Sequence, residues 1–173
     1  MAKAEGLAKV VVCDAGPLIH LDELDCLDLL GDFAEVLVPE AVWHEVLRHR
    51  PSALDKKVAV LVRVAPSREP TAPLLRGIFE TMSLHRGEQE ALALATKHED
   101  ALLLTDDTAA RLAAGVLGVG VHGTIGVLIR SIRRAQRTKK QVLDLLRAIP
   151  ANSTLHLKRS FLAKIIDQVQ SED

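Results

Sequence analysis

Aromatic residues are scarce in this sequence: three Phe, one Trp and no Tyr among 173 residues. Rows of rings that stack on single-stranded nucleic acid are therefore excluded as the main binding device. Cysteine is as rare. Cys13 and Cys26 each lie inside an apolar pattern and form no CxxC pair, so neither a disulfide framework nor a zinc site is expected. No apolar run approaches the roughly eighteen residues of a membrane span, and the start MAKAEGLAKV has no apolar block of the secretory kind. A cytoplasmic protein without membrane contact is the expectation. Charge of one sign is also lacking, since the net charge is −1 and gives no global basic signature of nucleic-acid binding.

Several catalytic signatures are absent too. The chain has no GxxxxGK(S/T) phosphate loop and no GxGxxG after a strand. His44-Glu45 begins like HExxH, but the next histidine, His49, is five residues beyond His44 and falls on another helix face. No GxSxG elbow presents a nucleophile. A phosphorylatable receiver domain would need paired acids after the first strand and a lysine after a late one, and VVVCDAG and VGVHGT supply neither. His20, His85, His98, His122 and His156 are scattered and read as structural or exposed.

What is present is an alternation of apolar runs and helical patterns. Strands are expected at 10–13, 35–38, 101–105 and 119–122. Helices are expected near 16–31, behind Pro39, over 52–62 and 72–82, from Gly87, over 107–115 and over 124–137. That order points to an α/β domain with a mainly parallel sheet covered by helices on both faces. The length suits one domain with a sizeable core. Residues 1–137 carry the alternating pattern, and 138–173 read as a helical extension packed on the same domain. Arg63 to Pro73, with three prolines, reads as a surface loop.

Charge is unevenly spread. Residues 11–35 hold seven acids and no Lys or Arg, whereas 108–143 hold seven bases and no acid. Such a division suits a metal and a polyanion, and it also suits two solvated faces that happen to differ.

Acids stand in three odd places. Asp14 ends the buried run VVVC, either as a helix cap or as part of a site. ALLLT runs straight into Asp106-Asp107, repeating the arrangement at the same sheet edge. On the helix from Gly87, Glu88 aligns with Ala91, Leu92 and Ala95, while Glu90 aligns with Lys97 on the polar side. Glu88 thus points with the buried face, or it is simply a first-turn acid favoured by the helix dipole. Periodicity leaves Glu45 a solvated acid. Carboxylates converging without Lys or Arg would raise one another's pKa unless a hard divalent ion such as Mg²⁺ or Mn²⁺ lay between them. Such an ion polarises phosphates and activates water, which is phosphodiester hydrolysis.

These residues resemble the PIN-domain family, in particular its VapC-like toxin ribonuclease branch of bacteria and archaea. VVVCDAGPLIHL resembles the family's first strand with its Asp, VPEAVWHEVL its P-x-x-V-x-x-E segment, HRGEQEALALA the helix with the third acid, and LLLTDDTAAR the T-x-D strand end. The resemblance implies a three-layer α/β/α sandwich and a Mg²⁺- or Mn²⁺-dependent endoribonuclease. It also implies a homodimer, an RNA substrate and a small antitoxin partner. Carried over, the catalytic acids are Asp14, Glu45, Glu88 and Asp107, with Asp106 sharing the role, and Asp14, Glu88, Asp107 and Asp106 as metal ligands. Glu88 departs from the Asp found in many members. The alternative is a PIN-like RNA- or protein-binding module with weak catalysis.

For holding RNA, Arg130, Arg133, Arg134 and Arg137 share one face of the helix at 124–137, opposite Leu128, Ile129 and Ile132. Phosphate contact and a solvated outer face are both consistent with that pattern. Arg111, one turn beyond Asp107, is placed either to meet a scissile phosphate or to pair with the acids.

Overall fold

The computed structural model describes residues 10–55, 61–69 and 71–172. Strand β1 (Val11–Cys13) leads into α1 (Ala15–Glu23), and a 3-10 helix (Leu27–Asp32) follows. The single helix expected over 16–31 is broken because Asp25 takes a left-handed conformation, φ 54°. Next come β2 (Val36–Pro39), α2 (Glu40–His49) and α3 (Ser52–Asp55). The helix expected over 52–62 is met only in α3. Residues 56–60 lie outside the described residues, and Leu61–Val64 form strand β3 instead. The second half of the chain holds α4 (Pro73–Thr81), α5 (Arg86–Ala95), β4 (Leu102–Leu104), α6 (Thr108–Val116), β5 (Gly120–His122) and α7 (Thr124–Arg133). It closes with α8 (Lys139–Asn152) and α9 (Arg159–Ser171). Helix α7 stops short of residue 137 because Ala135 turns to φ 55°.

All strand pairings are parallel, in the order β3-β2-β1-β4-β5. The strands are short apolar runs whose successive side chains alternate between two cores. Val11, Cys13, Val36, Val38, Leu102 and Leu104 face one core; Val12, Leu37 and Leu103 face the other. The first core is closed by α1, α7, α8 and α9, the second by α4, α5 and α6. The result is an α/β/α sandwich around a parallel sheet.

Helices α8 and α9 contribute Val142, Leu146, Ile149, Leu162 and Val169 to the same core as the sheet. Each fully buried Leu or Ile is worth roughly 1.5–3 kcal/mol, so 138–172 belong to the packing of the sandwich.

Strand order runs outward from β1 through β2 to β3 on one side and through β4 to β5 on the other. The reversal lies between β1 and β4. Beyond the carboxyl ends of these strands opens the crevice where open parallel sheets place their sites.

Candidate active site

The register sets the floor of this crevice. Cys13 lies opposite Leu104, and Leu104 opposite His122. Asp14, Thr105 and Gly123 therefore stand side by side, one residue past the ends of β1, β4 and β5. The Asp14 backbone N–H donates to the Leu104 carbonyl (2.9 Å), and the Thr105 hydroxyl donates to Asp14 Oδ2 (2.9 Å). Asp14 is 7% exposed and Thr105 fully buried.

Asp14 occupies the N-cap position of α1, yet its side chain makes no cap hydrogen bond. The helix-cap reading of this residue thus fails. Burial pushes the Asp14 carboxyl up to about 7; the Thr105 hydroxyl opposes the rise, and the neighbouring Glu88 and Glu45 add to it. Among the described residues no Lys, Arg or His forms an ion pair with Asp14.

Glu88 is the third residue of α5 and reaches back to the N-cap, where its Oε2 accepts from the His85 N–H (2.7 Å). Its other oxygen stands 3.5 Å from His85 Nδ1. Burial raises the Glu88 pKa, and Asp107 raises it further. The first-turn acid reading is realised here. Asp107 is built alike: it caps α6, with Oδ1 accepting from the Ala110 N–H (2.7 Å).

Glu45 comes from the middle of α2, on the flank of the buried Val42 and Val46. A methyl group added at Gly87 would stand 3.3 Å from Glu45 Oε2 and 3.2 Å from Val42. Lack of a side chain at Gly87 lets α2 approach the start of α5 and bring Glu45 to the crevice. Glu90, expected on the polar side, instead accepts from the Ala41 N–H (2.8 Å) at the start of α2 and pairs with Arg86.

Asp106 behaves differently from Asp107. Its Oδ1 accepts from the Thr124 N–H (2.7 Å), while its Oδ2 accepts from the Thr124 hydroxyl (2.6 Å) and lies 2.7 Å from His20 Nδ1. Both oxygens meet hydrogen-bond donors, and through them Asp106 fastens the start of α7 to the end of β4. A methyl group on Gly123 would come within 2.5 Å of Asp106 Oδ1, which leaves no room for a side chain there. Sequence reasoning missed Thr105, Thr124 and His20. The one signal for His20 is its i+4 spacing from Gly16, since both line the crevice.

These acids share a cleft of about 920 Å³, lined by Asp14, Glu45, Glu88, Asp106 and Asp107. Helices α1, α5 and α6 begin there, directly behind Asp14, His85 and Asp107. Their positive dipole ends favour the buried carboxylates and would favour a phosphate. The donor set is all carboxylate oxygen, which fits a hard divalent ion in chemistry. Among the described residues, however, no three His, Cys, Asp or Glu side chains are gathered closely enough to hold an ion. Glu88 and Asp107 are turned onto backbone N–H groups, and like charges repel.

The arginine face of α7 lies elsewhere. Helix α7 starts at the cleft and runs away from it, and Arg130 is already about 9 Å along its axis. Arg130 and Arg134 both bond Asp32 (2.9 Å each), Arg130 stacks over Phe33, and Arg137 bonds Asp28 (2.8 Å). Three of the four expected RNA contacts are thus internal ion pairs; Arg133 is exposed. Arg111 donates to the Thr105 carbonyl (3.3 Å) and does not line the cleft.

The family model DUF3368, described as a PIN domain, matches residues 10–171. Among solved structures, a PilT N-terminus domain protein from the hyperthermophilic archaeon Sulfolobus solfataricus is similar, with a TM-score of 0.52 and 19% sequence identity. That similarity covers 72% of this chain and 94% of the archaeal one, and at such identity it speaks for the fold alone. No curated protein matches the chain. With a family model spanning nearly its whole length, the chain belongs to the PIN-domain family.

Proposed function

We propose that this chain is a Mg²⁺- or Mn²⁺-dependent endoribonuclease of the VapC-like kind, the toxin of a toxin-antitoxin pair. The observation that carries the reading is Asp14: a buried carboxylate held near pKa 7, facing Glu88 and Glu45 at the switch point of a parallel sheet. Asp14, Glu88 and Asp107 would hold the ion, assisted by Glu45, once Glu88 and Asp107 swing from the backbone N–H groups they now face. When bound, such an ion supplies charge to the phosphate and an activated water. The chain's own part is positioning. Thr105 fixes Asp14 through its hydroxyl, and Asp106 with Thr124 and His20 holds the adjoining strand end and the start of α7 in place.

A homodimer is part of the proposal, supported by Leu112 and Val116 on α6, which stand one turn apart and exposed. One observation favours the alternative, a binding module with weak catalysis: Glu88 and Asp107 each spend an oxygen on a backbone N–H. Cleavage of mixed RNA with Mn²⁺ separates the two. Wild type should cut and Asp14→Asn should lose about 100-fold or more; equal cutting by both, or none by either, removes the catalytic reading.

A further inference from the structure

Helices α8 and α9 do more than fill the core, because the turn between them reaches the cleft. Thr154, Leu155 and His156 line it together with Asp14, Glu88 and Asp107. The turn is pinned to the end of α1. Glu23 Oε2 accepts from the Ser153 hydroxyl (2.8 Å) and the Thr154 N–H (2.7 Å), and Oε1 accepts from the Thr154 hydroxyl (2.9 Å). Burial pushes Glu23 up, but these donors outweigh it and hold its pKa below the usual carboxylate range. Leu155 is buried in the core beside them, and His156, next in the chain, is exposed. A cleft floored by carboxylates repels an anionic chain, so substrate phosphates need donors at the mouth. Among the described cleft residues, His85 and Arg86 are engaged with Glu88 and Glu90, whereas Arg48, His49 and His156 form no ion pair.

We propose that the α8–α9 turn is a substrate-positioning wall of this cleft, in which His156 donates to the phosphate next to the one that is cut. The inference rests on the ribonuclease reading above. It gives the carboxyl-terminal extension a part in substrate binding, through a side chain carried on a turn that the Glu23 clamp holds by Ser153 and Thr154.

The test uses the full chain with Mn²⁺ and a labelled oligoribonucleotide, comparing wild type, His156→Ala, His156→Arg and Glu23→Gln for kcat, KM and melting temperature. His156→Ala should raise KM about tenfold, the worth of one hydrogen bond to a charged group, with kcat within about twofold. His156→Arg should restore KM, and Glu23→Gln should raise it although His156 is intact. An unchanged KM in His156→Ala beside an active wild type overturns this inference and leaves the ribonuclease reading standing. A lowered melting temperature with kcat and KM both lost makes His156 structural and also overturns it. Should Glu23→Gln unfold, His156→Ala and its Arg rescue still decide. A wild type that cuts no RNA removes both readings.

Discussion

Two groups of acids in this chain have opposite surroundings. At the far end of α7, Asp28 and Asp32 are each met by arginine: Arg137 on the first, Arg130 and Arg134 on the second. In the cleft, Asp14, Glu88 and Asp107 face one another, with Thr105 and backbone N–H groups as their donors. The paired acids lock a 3-10 helix onto α7. The cleft acids hold charge that the fold itself does not balance, at a cost to stability. Buried acids without matching cations are where a ligand's charge is expected.

The comparison can be broken at either end. The largest effect is expected from Asp14→Asn. With its pKa raised from 3.8 to about 7, Asp14 binds its proton more tightly folded than unfolded. Below pH 3.8 both states are protonated and nothing is lost; as pH rises to about 7 the penalty grows, and above it is complete. In chelator at pH 8, Asp14→Asn should therefore be more stable than wild type, by at most about 4 kcal/mol at about 1.4 kcal/mol per unit. The gain should vanish near pH 4 in denaturant titrations.

Removing a partner from a paired acid should do the reverse. Arg50 bonds Asp22 (2.6 Å), whose side chain is fully buried, and Ser52 bonds the same oxygen. Arg50→Ala should cost about 3 kcal/mol by urea unfolding, because a buried charge loses a close cation and a hydrogen bond. Gly123→Ala should cost about 2 kcal/mol, since the new methyl must displace Asp106. Smallest is Asp32→Asn. It loosens two partly exposed arginine pairs, at about 1 kcal/mol, and should leave RNA cleavage unchanged. A large loss of cleavage in Asp32→Asn would erase the distinction between the two acid groups.

The features legible in the sequence are those written in short-range pattern. Buried runs ending on acids gave β1 with Asp14 and β4 with Asp106-Asp107, and helical phase put Glu88 inward. Glu45 was reached through resemblance alone, because the buried arc of α2 centres on Val42 and Val46 and leaves it at the margin. Strand β3 was missed because LVRV is a half-buried edge strand whose apolar residues also suit a helix. The arginines of α7 looked free because Asp28 and Asp32 lie about a hundred residues away in the chain. Asp106 and Asp107 could not be told apart until Thr124 and His20 were seen to claim the first.

The central claim, that the unbalanced acids of the cleft are a divalent-ion site, is tested most directly by melting the protein against Mn²⁺ without any substrate. Wild type should gain stability as metal is added, by about 2.7 kcal/mol at a hundredfold excess over Kd, and Glu88→Gln should gain less at the same concentration. Melting curves unmoved by millimolar Mn²⁺, or a Glu88→Gln gain equal to that of wild type, would contradict the assignment.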